Sequence, residues 1–159
     1  MRYLRASPLL LALAIGCASS RSGDGESVDA DQPDRLLLYS IDGREGTKVN
    51  DRNTEGSFYG YPVLGKVEIT DATTRKQLLD AIKDAIRRRP EMAAKCYWPR
   101  HGMRASINGK TVDYVICFEC FRYEEFVDGV SIKRSVLNSD VEPIFSKPLV
   151  DAGIPIAPR

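Results

Sequence analysis

Three of the four cysteines and the only histidine of this 159-residue chain fall within residues 96–120, "CYWPRHGMRASINGKTVDYVICFEC". Cys96, His101, Cys117 and Cys120 are the side chains of a Cys3His zinc set, and Cys117-x-x-Cys120 has the spacing of a zinc knuckle. The same thiols could instead form a structural disulfide or a working redox pair. A Cys96–His101 dyad could activate a thiolate, but no third group to orient it and no oxyanion site can be picked out, so no catalytic residue is assigned and a non-enzymatic domain is expected.

The turn inside this stretch tests the alternatives. Asn108-Gly109 is a strong two-residue hairpin signal, because both central residues of a type I′ turn need positive φ. It pairs Ile107 with Lys110 and Arg104 with Asp113, an attractive cross-strand charge pair. Continued outward, the register sets His101 opposite Ile116, Arg100 opposite Cys117 and Tyr97 opposite Cys120. His101 and Cys120 then share one face, and Cys96 and Cys117 the other, each pair about 13 Å apart. Regular β geometry therefore builds no four-ligand site. It also holds Cys117 and Cys120 about 10 Å apart, beyond the disulfide limit of about 7 Å between Cα atoms, unless the strand ends near Phe118. Pro99 breaks the first arm, so Cys96 can bend toward either later cysteine. The first expectation is a disulfide from Cys96 to Cys117 or Cys120 with one thiol left buried; a metal site and a redox pair stay open.

Other signals are weaker. Gly109-Lys110-Thr111 imitates the end of a phosphate loop, but Arg104 stands where the first glycine belongs and a strand follows. Asp51-x-Asn53-x-Glu55-Gly56 imitates a calcium loop whose twelfth position is Pro62 instead of Glu. Glu124 and Glu125 face opposite sides of a strand and make no acid–base pair. "FYGYP" (58–62) reads as an aromatic patch for sugar or peptide, or more simply as aromatics folded onto the core. Arg87, Arg88 and Arg89 suit the negative end of a helix, and Arg100 reads as a solvated edge residue.

The elements that would position these residues form an α+β domain. Leu36 to Ile41 reads as a strand buried on both faces, and Pro62 to Ile69 as another. Between them Asp42 to Gly60 has no periodicity, which implies a recognition loop or an unrecognised strand. Thr70 or Asp71 caps a helix whose Leu78, Leu79, Ile82, Ala85 and Ile86 form one stripe, ended by Pro90. Asp128-Gly129 makes a second hairpin turn. Val141 to Ala152 reads as a short helix with Pro143 in its first turn, Pro148 as a kink and Gly153 as its stop. The sum is an antiparallel sheet of about five or six strands with one main helix and a short C-terminal helix.

The start of the chain addresses it to a membrane. Arg2 and Arg5 precede the apolar run Leu9 to Ile15, then Gly16 and Cys17: an export signal too short to span as a mature helix. Ala14-Ile15-Gly16-Cys17 resembles a bacterial lipobox, which implies cleavage after residue 16, acylation (palmitate) of Cys17 and a lipid-anchored cell-envelope protein, with outer-membrane sorting where there is an outer membrane. The alternative is an ordinary secretory signal cleaved near Ala18. Loss of Arg2 and Arg5 takes 23 basic residues to 21 against 22 acidic ones, a formal charge of −1, which does not recruit nucleic acid. Residues 17–34 hold one large aliphatic, Val28, and no aromatic; they are expected to be a flexible tether, with residues 35–159 as the single domain.

Cys96-Tyr97-Trp98-Pro99-Arg100-His101, with Ile116-Cys117-Phe118-Glu119-Cys120 after it, resembles small uncharacterised bacterial exported proteins and lipoproteins that carry a C-[FY]-x-P-R-[HN] segment and then ICFEC. The resemblance covers roughly residues 91–122. Its variable His position implies that the three cysteines, rather than His101, are the common element; it implies no substrate. The leading expectation is a lipid-anchored binding or structural module without cofactor, for an envelope protein or glycan partner. The alternative is a metal-binding domain, with zinc on Cys96, His101, Cys117 and Cys120, or a thiol-redox domain.

Overall fold

A computed structural model describes residues 32–45, 47–49, 54 and 56–158. The expected signal segment, Cys17, the expected tether up to residue 31 and the calcium-like Asp51, Asn53 and Glu55 lie outside the described residues. Where the chain enters, it is already held. Arg75 Nε donates to the Pro33 carbonyl at 3.1 Å, and the Asp34 N–H donates to the Ser106 carbonyl at 2.8 Å.

The element order is β1 (Arg35–Ile41), β2 (Ser57–Phe58), β3 (Tyr61–Glu68), α1 (Ala72–Arg87), β4 (His101–Ile107), β5 (Lys110–Cys117), β6 (Arg122–Val127), β7 (Val130–Val136) and α2 (Glu142–Asp151). The seven strands form one sheet in the order β2-β3-β1-β4-β5-β6-β7, with every pairing antiparallel. The α+β class holds, but the strand number is seven, not five or six. The strand that sequence reading missed is β2, two residues long and turned back on β3 through Tyr59 and Gly60, both at positive φ (52° and 84°). Tyrosine is not a residue that advertises such a turn.

The sheet has two buried faces. Leu36, Leu38, Met103, Tyr114, Ile116 and Tyr123 pack with Leu78, Leu79, Ile82 and Ala85 of α1 and Phe145 and Leu149 of α2. Each such aliphatic or Phe side chain contributes about 1.5–3 kcal/mol relative to exposure. The alternate residues of the same strands, Tyr39, Ile41, Val115 and Phe126, point the other way and pack under Phe58, Tyr59 and Tyr61. The FYGYP aromatics thus fold back on the core: Phe58 is 2 % exposed and Tyr59 6 %.

Helix boundaries follow their caps. The Asp71 carboxylate accepts from the Thr74 N–H at 2.7 Å and starts α1. Arg88 closes its end on Asp84 and Asp140, so two of the three consecutive arginines, Arg87 and Arg88, pair with carboxylates. α2 starts at Glu142, one residue after the expected position, with Pro143 in its first turn and Gly153 at φ 72° after it.

Candidate thiol-disulfide site

The β4–β5 hairpin keeps the register set by Asn108 and Gly109, from Ile107↔Lys110 to His101↔Ile116. Arg104 reaches Asp113 through Nε at 2.9 Å and Nη2 at 2.7 Å, and the Tyr59 hydroxyl donates to the same carboxylate at 2.6 Å. Asp113 is 1 % exposed, whereas the Arg104 side chain is 32 % exposed, so a buried carboxylate meets a half-buried cation.

Beyond Ile116 regularity ends. β5 stops at Cys117, and the chain reverses through Phe118–Phe121, where the Phe121 N–H donates to the Phe118 carbonyl at 3.1 Å and Phe121 takes φ 53°. The turn brings the Cα atoms of Cys117 and Cys120 to 5.2 Å and their sulfurs into a disulfide. The Cys120 N–H also donates to Cys117 Sγ at 3.3 Å. The expected Cys96 disulfide is therefore replaced by a Cys117–Cys120 one, because the strand ends early enough to satisfy the Cα limit. Cys96, not a later cysteine, keeps the free thiol, and it is only partly buried.

That thiol is not remote. Cys96 Sγ lies 3.4 Å from Cys120 Sγ. An irregular segment, residues 94–100, holds it there by bonds to the chain it crosses. The Ala94 N–H donates to the Cys120 carbonyl at 3.2 Å, Arg122 Nε donates to the Ala94 carbonyl at 2.7 Å, and the Trp98 N–H donates to Cys120 Sγ at 3.4 Å. The Tyr97 hydroxyl donates to the Val115 carbonyl at 2.9 Å. Gly43 lets the segment pass: a Cβ there would stand 2.3 Å from the Pro99 carbonyl oxygen.

Arg100 is not the solvated edge residue expected. Its Nη2 lies 3.1 Å from Glu119 in the cysteine turn and 3.0 Å from Glu142 at the start of α2, and its Nη1 donates to the Ala157 carbonyl at 3.1 Å. Nothing in the sequence near Arg100 points to partners so far along the chain.

His101 belongs to another environment. Its ring is 1 % exposed, Nε2 sits 2.9 Å from Ser146 Oγ, and its edge faces Phe118 at 5.2 Å between ring centres. Among the described residues no three His, Cys, Asp or Glu side chains gather where they would hold a metal. Among the described residues the Cys96, His101, Cys117, Cys120 zinc set is thus not assembled, and the hydrogen bond of His101 runs to Ser146.

Burial first, and the Arg100 guanidinium second, push the His101 imidazole down to about 3 from 6.5. Unfolding releases the ring to take a proton between those values, so stability at neutral pH is fully present and falls as pH drops from about 6.5 toward 3. The expected slope reaches about 1.4 kcal/mol per pH unit. Urea midpoints measured across this range should flatten in His101→Gln; parallel profiles for the two proteins would exclude His101 as the titrating group.

No family model matches the chain, and no curated protein and no solved structure matches it either.

Proposed function

We propose that this chain is a lipid-anchored envelope domain that exchanges thiols and disulfides through Cys96, Cys117 and Cys120. The observation that carries the reading is the 3.4 Å separation between the Cys96 thiol and the sulfur of a formed disulfide. That is within the near-attack range of about 3–3.5 Å, in which a reaction gains most from being intramolecular. An export signal ahead of the domain supports it too, since disulfides persist in oxidising compartments.

The chemistry balances as follows. Cys96, as thiolate, attacks Cys120 Sγ; the Cys117–Cys120 bond breaks and its electron pair goes to Cys117, which takes up a proton. The Cys120 N–H, already pointed at Cys117 Sγ, stabilises the departing thiolate. Cys117 and Cys120 are 2 % and 1 % exposed, so an outside thiol cannot reach the original bond. Cys96 is more open, and the relocated Cys96–Cys120 bond offers it as the point of attack. A partner thiolate then attacks Cys96 Sγ and Cys120 leaves, its charge met by the Trp98 N–H. The partner's second thiol resolves the mixed disulfide. The partner dithiol is oxidised to a disulfide, and the domain is reduced by two electrons and keeps two protons.

The burial of both bonded sulfurs favours a second reading, a binding or structural module in which the disulfide is an inert staple. Reduction by glutathione, followed by quenching and peptide mapping, separates the two. The exchange reading expects a glutathione adduct on Cys96 and disulfide reduction at least about tenfold faster in the native protein than in Cys96→Ser. Equal rates, with Cys96 always free and unmodified, would leave the staple.

A further inference from the structure

On the sheet face away from the helices a cleft of about 340 Å3 opens over the β6–β7 pair. A second recess of about 150 Å3 shares Lys48, Tyr61, Glu124 and Arg134 with it, so the two form one groove. Strand alternation supplies its floor: Glu124 stands opposite Arg134 across the ladder and Arg122 opposite Val136, all on this face. The larger part alone has the size of a small-molecule site, about 300–1,000 Å3.

Its charges are unbalanced. Among the described residues that line it, Lys48, Arg122 and Arg134 meet a single carboxylate, Glu124, which is 7 % exposed. Glu124 is already satisfied, by Arg134 Nε at 2.8 Å and the Ser131 hydroxyl at 2.8 Å. Arg122 spends Nε on the Ala94 carbonyl, and among the described residues its remaining guanidinium donors meet no carboxylate. Lys48 Nζ sits 5.0 Å over the Tyr61 ring, again with no carboxylate partner among the described residues. Two cations therefore have donors to spare at the mouth of a cleft whose one described acid is engaged. Tyr61, Tyr97 and Val136 give it apolar wall; the Tyr97 hydroxyl is turned away to the Val115 carbonyl, so its ring is what the cleft meets.

We infer that this groove binds a small organic anion, a molecule with a carboxylate or phosphate group on a planar or apolar body. The anionic group takes the donors of Arg122 and Lys48, with Arg134 as an outer cation, and the body lies along Tyr61, Tyr97 and Val136. The inference does not rest on thiol exchange: it uses none of the three cysteines.

The test is a titration of the whole exported domain, followed by backbone amide resonances, with benzoate, phenyl phosphate, inorganic phosphate and uncharged benzyl alcohol. Benzoate or phenyl phosphate should saturate at millimolar concentration, shift residues around Tyr97 and Val136, and weaken as salt is raised. Which of the two binds tighter assigns the anionic group. Arg122→Gln and Lys48→Gln should each weaken the bound probe by about threefold to tenfold; Lys48, exposed and without a backbone bond, keeps the test readable if Arg122→Gln fails to fold. The inference is overturned by no saturation with either aromatic anion, by benzyl alcohol or inorganic phosphate binding as well as phenyl phosphate, or by unchanged affinity in folded Lys48→Gln.

Discussion

Asp113→Ala will cost about 1.5–3 kcal/mol, a sizeable share of the 5–15 kcal/mol that holds a domain together. Both oxygens of this 1 % exposed carboxylate are used, by two guanidinium nitrogens of Arg104 and by the Tyr59 hydroxyl. Truncation removes the acceptor that the guanidinium and the phenol share, beside an Arg104 side chain that is 32 % exposed. In the native protein burial first, and the Asp113 carboxylate second, hold the Tyr59 hydroxyl far above the usual phenol range, so it stays a donor to Asp113. Arg104→Met is expected to be at least as costly, because it leaves the carboxylate buried with Tyr59 alone. The double variant Asp113→Ala/Arg104→Met removes both charges and should cost less than the sum of the two single losses. Urea unfolding of all three decides the matter: additive losses in the double variant would show that the pair is not coupled.

Gly43→Ala should damage both stability and exchange. Here the cause is space and not φ: the new methyl would lie 2.3 Å from the Pro99 carbonyl oxygen and 2.4 Å from its Cδ. Pro99 cannot step aside freely, since the Arg100 N–H donates to the Ile116 carbonyl at 3.2 Å and the Arg100 carbonyl accepts from the Ile41 N–H at 3.1 Å. The overpacking is expected to cost about 1–3 kcal/mol. The segment that yields is the one that sets Cys96 against Cys120, so glutathione reduction of the disulfide should slow with it. Gly56→Ala is the control, because a methyl there meets nothing within 4 Å. If Gly43→Ala matches the control in urea midpoint and in reduction rate, the close approach to Pro99 does not position the thiol.

The legible parts of the fold were those where a local rule leaves one answer. The two-residue turn at Asn108-Gly109 determines register, so the alignment of His101 with Ile116 and of Arg104 with Asp113 could be read directly, whereas past the Asp128-Gly129 turn a bulge between Glu125 and Phe126 shifts the pairing. The stripe Leu78, Leu79, Ile82 and Ala85 likewise identified the buried face of α1. The cysteine pairing could not be read because it depends on the Phe118–Phe121 turn. Phe121 sits at φ 53°, where an aromatic residue gives none of the warning that Gly or Asn would. Tyr59 at φ 52° hid β2 for the same reason. Residues 94–100 form no helix or strand, and their bonds to Cys120, Arg122 and Val115 obey no periodicity that a pattern could reveal. The groove was invisible because its residues come from a loop, a hairpin and an irregular crossing.

The bond from Asp34 to Ser106 has a consequence for orientation. It ties the entering chain to the end of the sheet that carries the Asn108-Gly109 turn, whereas Cys117 closes the opposite end of β5. The eight residues of β5 span about 25 Å. Any attachment made through the N-terminal segment therefore joins the domain at one pole and leaves Cys96, Cys117 and Cys120 at the other.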